Sequence, residues 1–474
     1  MKNPFTKEIK LKQHSPLIHF QHDQWGATIR ATELKPKLDR FLISKLGDFP
    51  AFKDYLLDFD QKEFNKLNSE QKKEYEKNIH KALDYKVRIK SPEIKKEDIK
   101  EIKHSLFFGN IGKKGKGEKE IKSVCLNKDQ DVSLTIFSFK KNLLKIIIEY
   151  LAEFFAISNI GTRQNKGFGS FYISEKDQLF KDITEVLPEE TYYIELNSLE
   201  DKEIFSTISY YYKRLKSGIN PSYGSDCKEG YHKAYLFKYL DNKNLGYTWE
   251  KRWIKEKFFG LKPDQKNKKF ARALLGLPGS FAFKATDEPC NTKSQRISIE
   301  DDYEIEISND EIARIKSPLT FKIYKDSETK KSKIYILIDK ELLAEINEKI
   351  CKKHITFDFK LKFKLKYEQY FRNGKKKYKQ KLIPHNESKH KKYNFYIKKA
   401  QELEEKENKF LGQLERFNTF KGRDFIEVTL STPEINLDMN NLIKCYHKEL
   451  NFQINDTFEN ISLKADIKKI TKNE

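Results

Sequence analysis

The sequence predicts an α+β protein that opens with a ferredoxin-like βαββαβ unit, and three observations carry this prediction. First, the order strand, helix, strands, helix, glycine-rich loop and strand runs through the first 175 residues, with insertions. Second, strand patterns dominate again from near residue 300. Third, the segment HSPLIHF near the N-terminus is echoed by KSPLTFKIY in the second half. This echo indicates two related halves, each opening on a strand that contains Ser-Pro-Leu.

Local patterns predict the first strand and the first helix. Residues 8–20 alternate in part between polar and apolar side chains, which is typical of a strand. A helix is predicted to begin at Pro36, because proline is favoured in a first turn, and apolar residues then repeat with helical spacing as far as Leu46. Lys37 and Arg40 share another face of this helix, which we expect to be solvated.

The remaining elements of the first unit follow in the expected order. A charged helical region at 60–84 precedes two strand candidates, YKVRIK and DVSLTIFSF. The apolar segment 141–157 predicts the second helix, and the segment 168–173 predicts the closing strand. We therefore expect an N-terminal domain that spans residues 1–175.

The segment NIGTRQNKGFGSF, between the second helix and the closing strand, is the strongest functional signal. Gly161, Gly167 and Gly169 allow positive φ angles and close approach to a ligand, while Arg163 and Lys166 supply charge that suits phosphate. A Rossmann fingerprint or a P-loop would follow a strand and open a helix, and this loop does the reverse. The pattern therefore favours a sugar-phosphate backbone over a mononucleotide.

The rest of the chain, 176–474, is predicted to form a C-terminal domain. Its stretch at about 176–300 reads as a helical or irregular insertion rich in aromatic and basic residues. A basic hairpin is predicted at about 355–383, because apolar residues and lysines alternate there on either side of the turn signal Asn373-Gly374. Such a lysine face can contact phosphate, or it can block strand-to-strand aggregation.

Charge and cysteine content restrict the class of protein. Lysine plus arginine number 93 against 71 acidic residues, a formal net charge of +22 that attracts nucleic acid or an anionic membrane. Charged residues interrupt the longest apolar run, so the sequence predicts no membrane association. Five scattered cysteines predict a cytoplasmic protein with no metal site and no cofactor. The lysine loop at 107–120 is expected to be a mobile insertion.

Several of these motifs together resemble a known family. The segments LKQHSPLIHF, GATIRATELKPKLDRFL, NIGTRQNKGFGSF, GLP and KSPLTFKIY are similar to those of the RAMP superfamily of CRISPR effector proteins, and in particular to the first subunit of type III-B Cmr effector complexes. The resemblance implies two ferredoxin-like (RRM-like βαββαβ) RAMP units with helical insertions. It further implies a non-catalytic subunit that caps the complex at the guide RNA 3′ end and helps to engage target RNA. The implied partners are guide RNA, target RNA and other RAMP subunits.

The resemblance also implies a set of RNA-binding positions, which lie in the glycine loop and after the first strand. These are Arg30, Lys35, Lys37, Arg40, Gly161, Arg163, Lys166, Gly167 and Gly169. Many family members have a Lys-Gly turn into the first helix, where this chain has Lys35-Pro36. Proline has no N–H group, so an RNA contact by the backbone amide at that position is not available.

Other interpretations of these residues remain open at the level of sequence. The glycine loop could be an ordinary helix C-cap followed by a tight turn, although this explains Gly161 and not the later glycines or the cations. An RRM interpretation of KGFG is weakened by Ser170, which stands where that pattern needs an aromatic residue. Lys37 and Arg40 could simply lie on a solvated helix face.

Two further functions are alternatives to an RNA-binding subunit. His14, His19, His22 and Asp23 crowd the end of the first strand and could cleave guide or target RNA by general acid–base catalysis. Related backbone subunits of these complexes cut target RNA with an aspartate in the corresponding loop, which singles out Asp23. Alternatively, the protein could be an assembly scaffold whose glycine loop contacts neighbouring subunits.

Overall fold

The computed structural model describes residues 3–18, 28–95, 98–101, 122–124, 130–189, 191–219, 233–243, 269–276, 280–283, 303–309, 315–348, 356–364, 366–372, 375–381, 422–431, 437–450 and 465–470. Three sequence features lie outside this part of the chain. They are the segment with His19, His22 and Asp23, the lysine loop at 107–120, and the turn Asn373-Gly374.

Helices and strands are interspersed along the chain. Residues 3–189 form β1 (Thr6–Gln13), α1 (Ala31–Leu46), α2 (Phe49–Phe52), α3 (Gln61–Lys66), α4 (Ser69–Asn78), β2 (Lys86–Lys90), β3 (Ile99–Glu101), β4 (Lys122–Val124), β5 (Val132–Phe137), α5 (Lys141–Ile157), β6 (Phe171–Ile173) and α6 (Ile183–Val186). Residues 191–348 form β7 (Tyr192–Leu196), α7 (Asp201–Lys216), α8 (Tyr235–Asn242), β8 (Ser280–Phe283), β9 (Tyr303–Ser308), β10 (Leu319–Asp326), β11 (Lys331–Ile338) and α9 (Lys340–Ile346). The later segments form β12 (Thr356–Lys364), β13 (Lys366–Arg372), β14 (Lys375–Lys381), β15 (Gly422–Ser431), α10 (Met439–Leu450) and β16 (Ala465–Lys469).

The first four-stranded sheet has the order β2-β5-β1-β6, and all its pairings are antiparallel. Helix α1 connects β1 to β2 across β5, and helix α5 connects β5 to β6 across β1. Each helix therefore crosses between strands that are separated by one other strand, which is the split βαβ arrangement. Apolar residues of α5 recur at helical spacing and are buried against the sheet. Burial of this apolar face stabilises the segment as a helix.

The first strand and the first helix differ from the prediction at their ends. Strand β1 ends at Gln13, so the Ser-Pro-Leu segment at 15–17 follows this strand and does not open it. Helix α1 begins at Ala31 and contains Pro36 in its interior, whereas the sequence predicted a start at Pro36. Burial of Leu34, one turn upstream of Leu38, extends the apolar face and accounts for the earlier start.

The second four-stranded sheet repeats the strand order of the first. Its order is β10-β11-β7-β16, again antiparallel throughout, with β7 in the position that β1 occupies in the first sheet. β7 lies within the stretch 176–300 that the sequence assigned to an insertion, and it is a central strand. The second Ser-Pro-Leu segment precedes β10, which is the second strand of this sheet in chain order and not its first.

The later strands form a third sheet and a separate ribbon. The third sheet has the order β15-β12-β9-β8, in which β12 pairs with both β9 and β15. β13 and β14 pair with each other on either side of the turn signal at 373–374. β12, which the sequence placed in the same ribbon, belongs to the four-stranded sheet instead.

The first two sheets meet along a seam, where the outer edge of β10 faces the loop between α5 and β6. Asn159, Asn165 and Ser170 of that loop donate side-chain hydrogen bonds to backbone carbonyls of β10. The acceptors are Phe321 at 2.9 Å, Leu319 at 3.2 Å and Ile323 at 2.6 Å. Every second residue of an edge strand points its carbonyl away from the sheet. The loop side chains donate to three such carbonyls along β10, so these acceptors are not left unpaired.

A buried lysine crosses the same seam. The Lys322 side chain is fully buried and donates to the carbonyl of Ser158 at 2.9 Å and to that of Phe171 at 2.8 Å. Ser158 is the C-cap of α5, where the helix dipole places partial negative charge. Burial, with a contribution from the charge of Lys37, holds the pKa of Lys322 well below its usual value. Aromatic packing adds to the seam, because the rings of Phe168 and Phe205 stack at 4.2 Å.

We expect Asn159→Ala to destabilise the protein by about 1–3 kcal/mol, because it leaves the buried carbonyl of Phe321 without a donor. Thermal and urea unfolding of the full chain measure this change. Asn65→Ala is the matched control, because Asn65 is exposed on α3 and bonds only locally to Gln61. Its effect should stay within about 0.5 kcal/mol. Equal effects of the two substitutions would show that the edge contact contributes nothing specific.

Candidate nucleic-acid interface

The glycine loop, defined as residues 158–170, is packed into the protein at the seam. Its glycines are buried and have φ angles of +85° at Gly161, +88° at Gly167 and +68° at Gly169. A Cβ atom on Gly169 would lie 1.8 Å from the carbonyl oxygen of Ile160, and one on Gly161 would lie 2.6 Å from that of Ile18. Glycine is therefore required here by the close approach of two backbones as well as by the positive φ.

The backbone amides of these glycines bond within the protein. Gly161 donates to the Glu33 carboxylate at 2.6 Å, Gly167 to the Gln164 carbonyl at 3.1 Å, and Gly169 to the Pro16 carbonyl at 2.9 Å. In this arrangement the glycines shape the loop. An anion beside the loop would therefore contact the side chains of the loop and not the amides of these glycines.

The two Ser-Pro-Leu segments of the sequence echo both contact the glycine loop. The Ser15 hydroxyl donates to the Gly167 carbonyl at 2.6 Å and accepts from the Ser170 amide at 2.8 Å. On the other side, the Ser317 carbonyl accepts from the Asn165 side chain at 2.8 Å. The loop is thus held between one segment from each half of the chain.

Helix α1 places two cations beside the loop. The Lys37 ammonium donates to the Asn159 carbonyl and, at 2.5 Å, to the Gln164 side chain. Burial, together with the positive charges of Lys316 and Arg40 and against the opposing charge of Glu33, lowers the pKa of Lys37 to about 8. Arg40 is exposed one turn further along the helix.

The loop itself contributes Arg163 and Lys166. The Lys166 ammonium lies 3.0 Å from the centre of the Tyr212 ring, which is a cation–π contact. Burial lowers the pKa of Lys166 well below its usual value, and the charges of Lys216 and Arg163 add to this effect. Arg163 has a left-handed φ of +57°, so the turn presents this side chain from a conformation that non-glycine residues seldom adopt.

Six cations lie around the glycine loop in two sets of three, within each of which the charges repel one another, and together we call them the basic cluster. They are Lys37 and Arg40 of α1, Arg163 and Lys166 of the loop, Lys216 of α7, and Lys316 before β10. Mutual repulsion in a partly buried place costs free energy, and a polyanion that binds there would offset this cost. The arrangement is suited to holding phosphate groups.

The other two sequence-predicted cations lie elsewhere. Lys35 turns toward the segment before β2, where it bonds to Asp39 at 2.8 Å and to the Leu83 carbonyl at 2.9 Å and lies 4.4 Å above the Tyr85 ring. Arg30 is half-buried at the N-cap of α1. The RNA contacts predicted for both residues stay predictions.

The sequence did not single out Lys216, Lys316 or Tyr212 as site residues. Lys316 immediately precedes the second Ser-Pro-Leu segment, and Lys216 and Tyr212 belong to the aromatic and basic stretch SYYYKRLKSG. Tyr212 also joins the two sides of the seam, because its ring contacts Lys166 of the loop while its hydroxyl donates to the Leu275 carbonyl of the second half at 2.9 Å. Only the fold brings these distant segments to the loop.

Of the histidines considered for catalysis, the structure describes His14. Its ring is buried in the seam, stacks on Tyr324 at 4.5 Å and accepts a hydrogen bond from the Lys325 amide at 3.0 Å through Nδ1. Burial, followed by the charges of nearby lysines, lowers its pKa well below the usual value. In this conformation, an RNA on the surface cannot reach the His14 ring.

The described residues contain neither a membrane-spanning helix nor a metal-binding cluster. No helix in that part of the chain combines the length and the apolar character needed to cross a membrane. Within the same residues, no group of three or more histidine, cysteine or acidic side chains is arranged to hold a metal ion.

Comparison with known proteins identifies matches across both halves of the chain. Residues 5–219 match the family model of the Cmr1 N-terminal domain, and residues 231–473 match that of the Cmr1 C-terminal domain. The crystal structure of apo Cmr1 from Pyrococcus furiosus matches with a TM-score of 0.32 and 10% identity, over 70% of this chain and 87% of that one. No curated protein sequence matches the chain.

We expect Gly169→Ala to destabilise the protein by about 2–4 kcal/mol, which combines the cost of a left-handed alanine with overpacking against the Ile160 carbonyl. The control is Gly47→Ala, at φ +89° and with nothing within 4 Å of the added Cβ. That substitution retains only the cost of placing alanine at φ +89° and ψ −128°, about 1–3 kcal/mol. Urea unfolding of both variants measures the difference, and its absence would contradict the packed geometry of the loop.

The buried His14 predicts that acid destabilises the fold. Because its folded pKa is depressed, the unfolded chain binds more protons below about pH 6.5, and stability falls by up to about 1.4 kcal/mol per pH unit from this group. His14→Asn keeps an acceptor near the position of Nδ1 and cannot be protonated, so its stability should fall less steeply between pH 6.5 and 5.5. His80→Asn, at an exposed position, should retain the wild-type slope. A wild-type slope in His14→Asn would refute the assignment.

Proposed function

The chain belongs to the Cmr1 family of CRISPR RAMP proteins, whose members are subunits of type III-B Cmr effector complexes, and we propose that it is the non-catalytic RNA-binding subunit of such a complex. Its ligands are the guide RNA and the target RNA, and its protein partners are other RAMP subunits. It caps the complex at the guide 3′ end, helps to engage target RNA in antiviral defence, and acts in the cytoplasm.

The basic cluster is the observation that carries the RNA-binding proposal. It gathers cations from α1, the glycine loop, α7 and the segment before β10, which are far apart in sequence. Such a cluster recognises the phosphate backbone, which has the same charge at every nucleotide. Sequence is then read by pairing between guide and target, and the protein needs no contacts to base edges at this place.

The strand order supports the proposed architecture of two ferredoxin-like RAMP units. In both sheets the first strand in chain order lies between the third and the fourth, and the second lies at the edge beyond the third. This order follows when a βαβ connection skips one strand in each half of a unit. The proposed domains remain 1–175 and 176–474.

The position of His14 supports the proposal that the subunit does not cleave RNA. A general acid or base must come within hydrogen-bond reach of the group that it protonates or deprotonates, and the seam encloses this ring. The cleavage hypothesis then depends on Asp23, His19 and His22. Cleavage of labelled RNA by the full chain that is lost in Asp23→Ala would contradict the proposal.

We expect replacement of Arg40 and Lys316 by alanine to weaken RNA binding by about tenfold at physiological salt and to lower the salt slope by about 2. Both side chains are largely exposed, so the fold should persist. Filter binding of labelled RNA to the full chain at several salt concentrations measures both quantities. Lys73→Ala with Lys77→Ala removes two exposed cations of α4 and is the matched control. If both double variants weaken binding equally, net charge and not the basic cluster holds the RNA.

A further inference from the structure

Among the described residues, helices cover one face of the first sheet, and the other face is exposed from β2 to the first half of β1. Apolar residues of β1 and β5, among them Ile9, Leu11 and Leu134, are buried with apolar residues of α1 and α5 in one core. The alternate residues of the same strands point to the other side. We call that side the open face.

The open face has a flat centre with cations along its outer strand. Its central strand β5 carries the small hydroxyl residues Ser133 and Thr135 there, both half-buried. The face is built from cross-strand rows, in which the register fixes the neighbours. The rows are Lys86–Phe137–Thr6, Arg88–Thr135–Glu8 and Lys90–Ser133–Lys10.

The charge of the open face is predominantly positive. Lys86, Arg88 and Lys90 are exposed on β2, and Lys10 is exposed on β1. Glu8 is the acidic residue in these rows, and its carboxylate accepts a hydrogen bond from Ser133 at 2.5 Å. Cations on alternate residues of a strand are spaced about 6.8 Å apart, a spacing at which an extended polyanion can follow them.

An aromatic cluster stands at one end of this face. The Phe139 side chain is 74% exposed, and Phe139 and Leu57 are the exposed large hydrophobic residues of the described chain. Its ring lies 4.8 Å from that of Phe137 and 5.9 Å from that of Phe5, and the Lys141 ammonium lies 5.3 Å from the Phe5 ring. A phenylalanine side chain that is left in water lacks the stabilisation of about 1.5–3 kcal/mol that full burial would provide.

The second sheet is buried on both sides at its centre. Residues on one side of β10 and β11, such as Phe321 and Ile334, pack in the core with α7 and α10, and Lys322 and Tyr335 on the other side are fully buried as well. The two sheets therefore share a strand order but differ in which residues they expose. On its second side the second sheet exposes Lys331 and Lys468 around Glu195, whereas the first sheet presents a basic surface with an aromatic end.

We propose that the open face of the first sheet is a second nucleic-acid site, which binds single-stranded RNA by stacking a base on Phe139 while Lys86, Arg88 and Lys90 contact its phosphates. Aromatic platforms combined with a basic track bind single strands in this way, since every base has a π-face. Duplex RNA does not fit, because its bases are already stacked on one another.

This site is separate from the basic cluster. Thr6, which is opposite Phe137, and Gln13, at the end of β1 next to the glycine loop, are the two ends of a strand about 23 Å long. Helix α1, which carries Lys37 and Arg40, packs on the other face of the sheet. The inference rests on the proposed function only in that both ligands are RNA.

The test is binding of the full chain to a single-stranded oligoribonucleotide that contains 2-aminopurine, whose fluorescence is quenched by stacking. Phe139→Leu keeps an apolar side chain but removes the ring, so we expect about tenfold weaker binding and loss of the quenching. Phe139→Trp should retain both. Leu57→Ala removes the other exposed apolar side chain and should behave as wild type.

The outcomes separate this inference from the proposed function. Wild-type affinity and quenching in Phe139→Leu would overturn it, whether or not the Arg40 and Lys316 variant still weakens binding. Loss of complex assembly by Phe139→Leu with unchanged RNA affinity would also overturn it and would assign the face to a protein partner. If Phe139→Leu weakens single-strand binding while the Arg40 and Lys316 variant does not, this inference stands and the proposed site fails.

Discussion

The outer edge of β10 is the constraint on which the rest of the structure depends. An edge strand presents a row of backbone donors and acceptors, and leaving them buried without partners would cost more than the packing around them could offset. The glycine loop resolves this by turning Asn159, Asn165 and Ser170 toward the strand. For these side chains to reach β10, the loop backbone must lie against the carbonyls of Ile18 and Ile160, and only glycine leaves room for this. The relation between the two sheets is thereby fixed by hydrogen bonds whose geometry tolerates little displacement.

The same constraint determines where positive charge accumulates. Because the loop is pinned to β10, Arg163 and Lys166 are held against Lys216 of the second half, and Lys37 approaches from α1. Behind them the buried Lys322, whose pKa is lowered by burial, donates to the carbonyl end of α5. The loop that holds the two sheets together is therefore also the place where the cations of the basic cluster gather. Changes to the loop would therefore affect stability and anion binding together.

Periodicity predicted much of the fold from the sequence, because it depends on local burial. The helix at 141–157 and the antiparallel strands of the first sheet follow from apolar spacing, and the α+β class is confirmed. The start of α1 was misplaced, since Leu34 is recognisable as a core residue only when the sheet is known. The role of the Ser-Pro-Leu echo was also misread, because contact with a common loop leaves no periodic signal.

The site was only partly predictable for a related reason. The glycine loop is visible in the sequence, but its amides bond to Glu33, Gln164 and Pro16, and no pattern indicates that. Lys216 and Lys316 lie more than forty residues from the loop along the chain and reach it only through the second sheet. Charge that is assembled from several elements cannot be inferred from spacing within any one of them.

Pairing of β16 with β7 has a consequence for synthesis of the protein. All four strands of the first sheet have been made once residue 173 is translated, whereas the second sheet needs residues 465–469 beside residues 192–196. The first sheet can therefore assemble while the ribosome is still elongating the chain, but the second stays open at one side of β7 until residues 465–469 have been made. During that interval the nascent polypeptide carries an incomplete sheet, which is the period in which chaperones would be most needed.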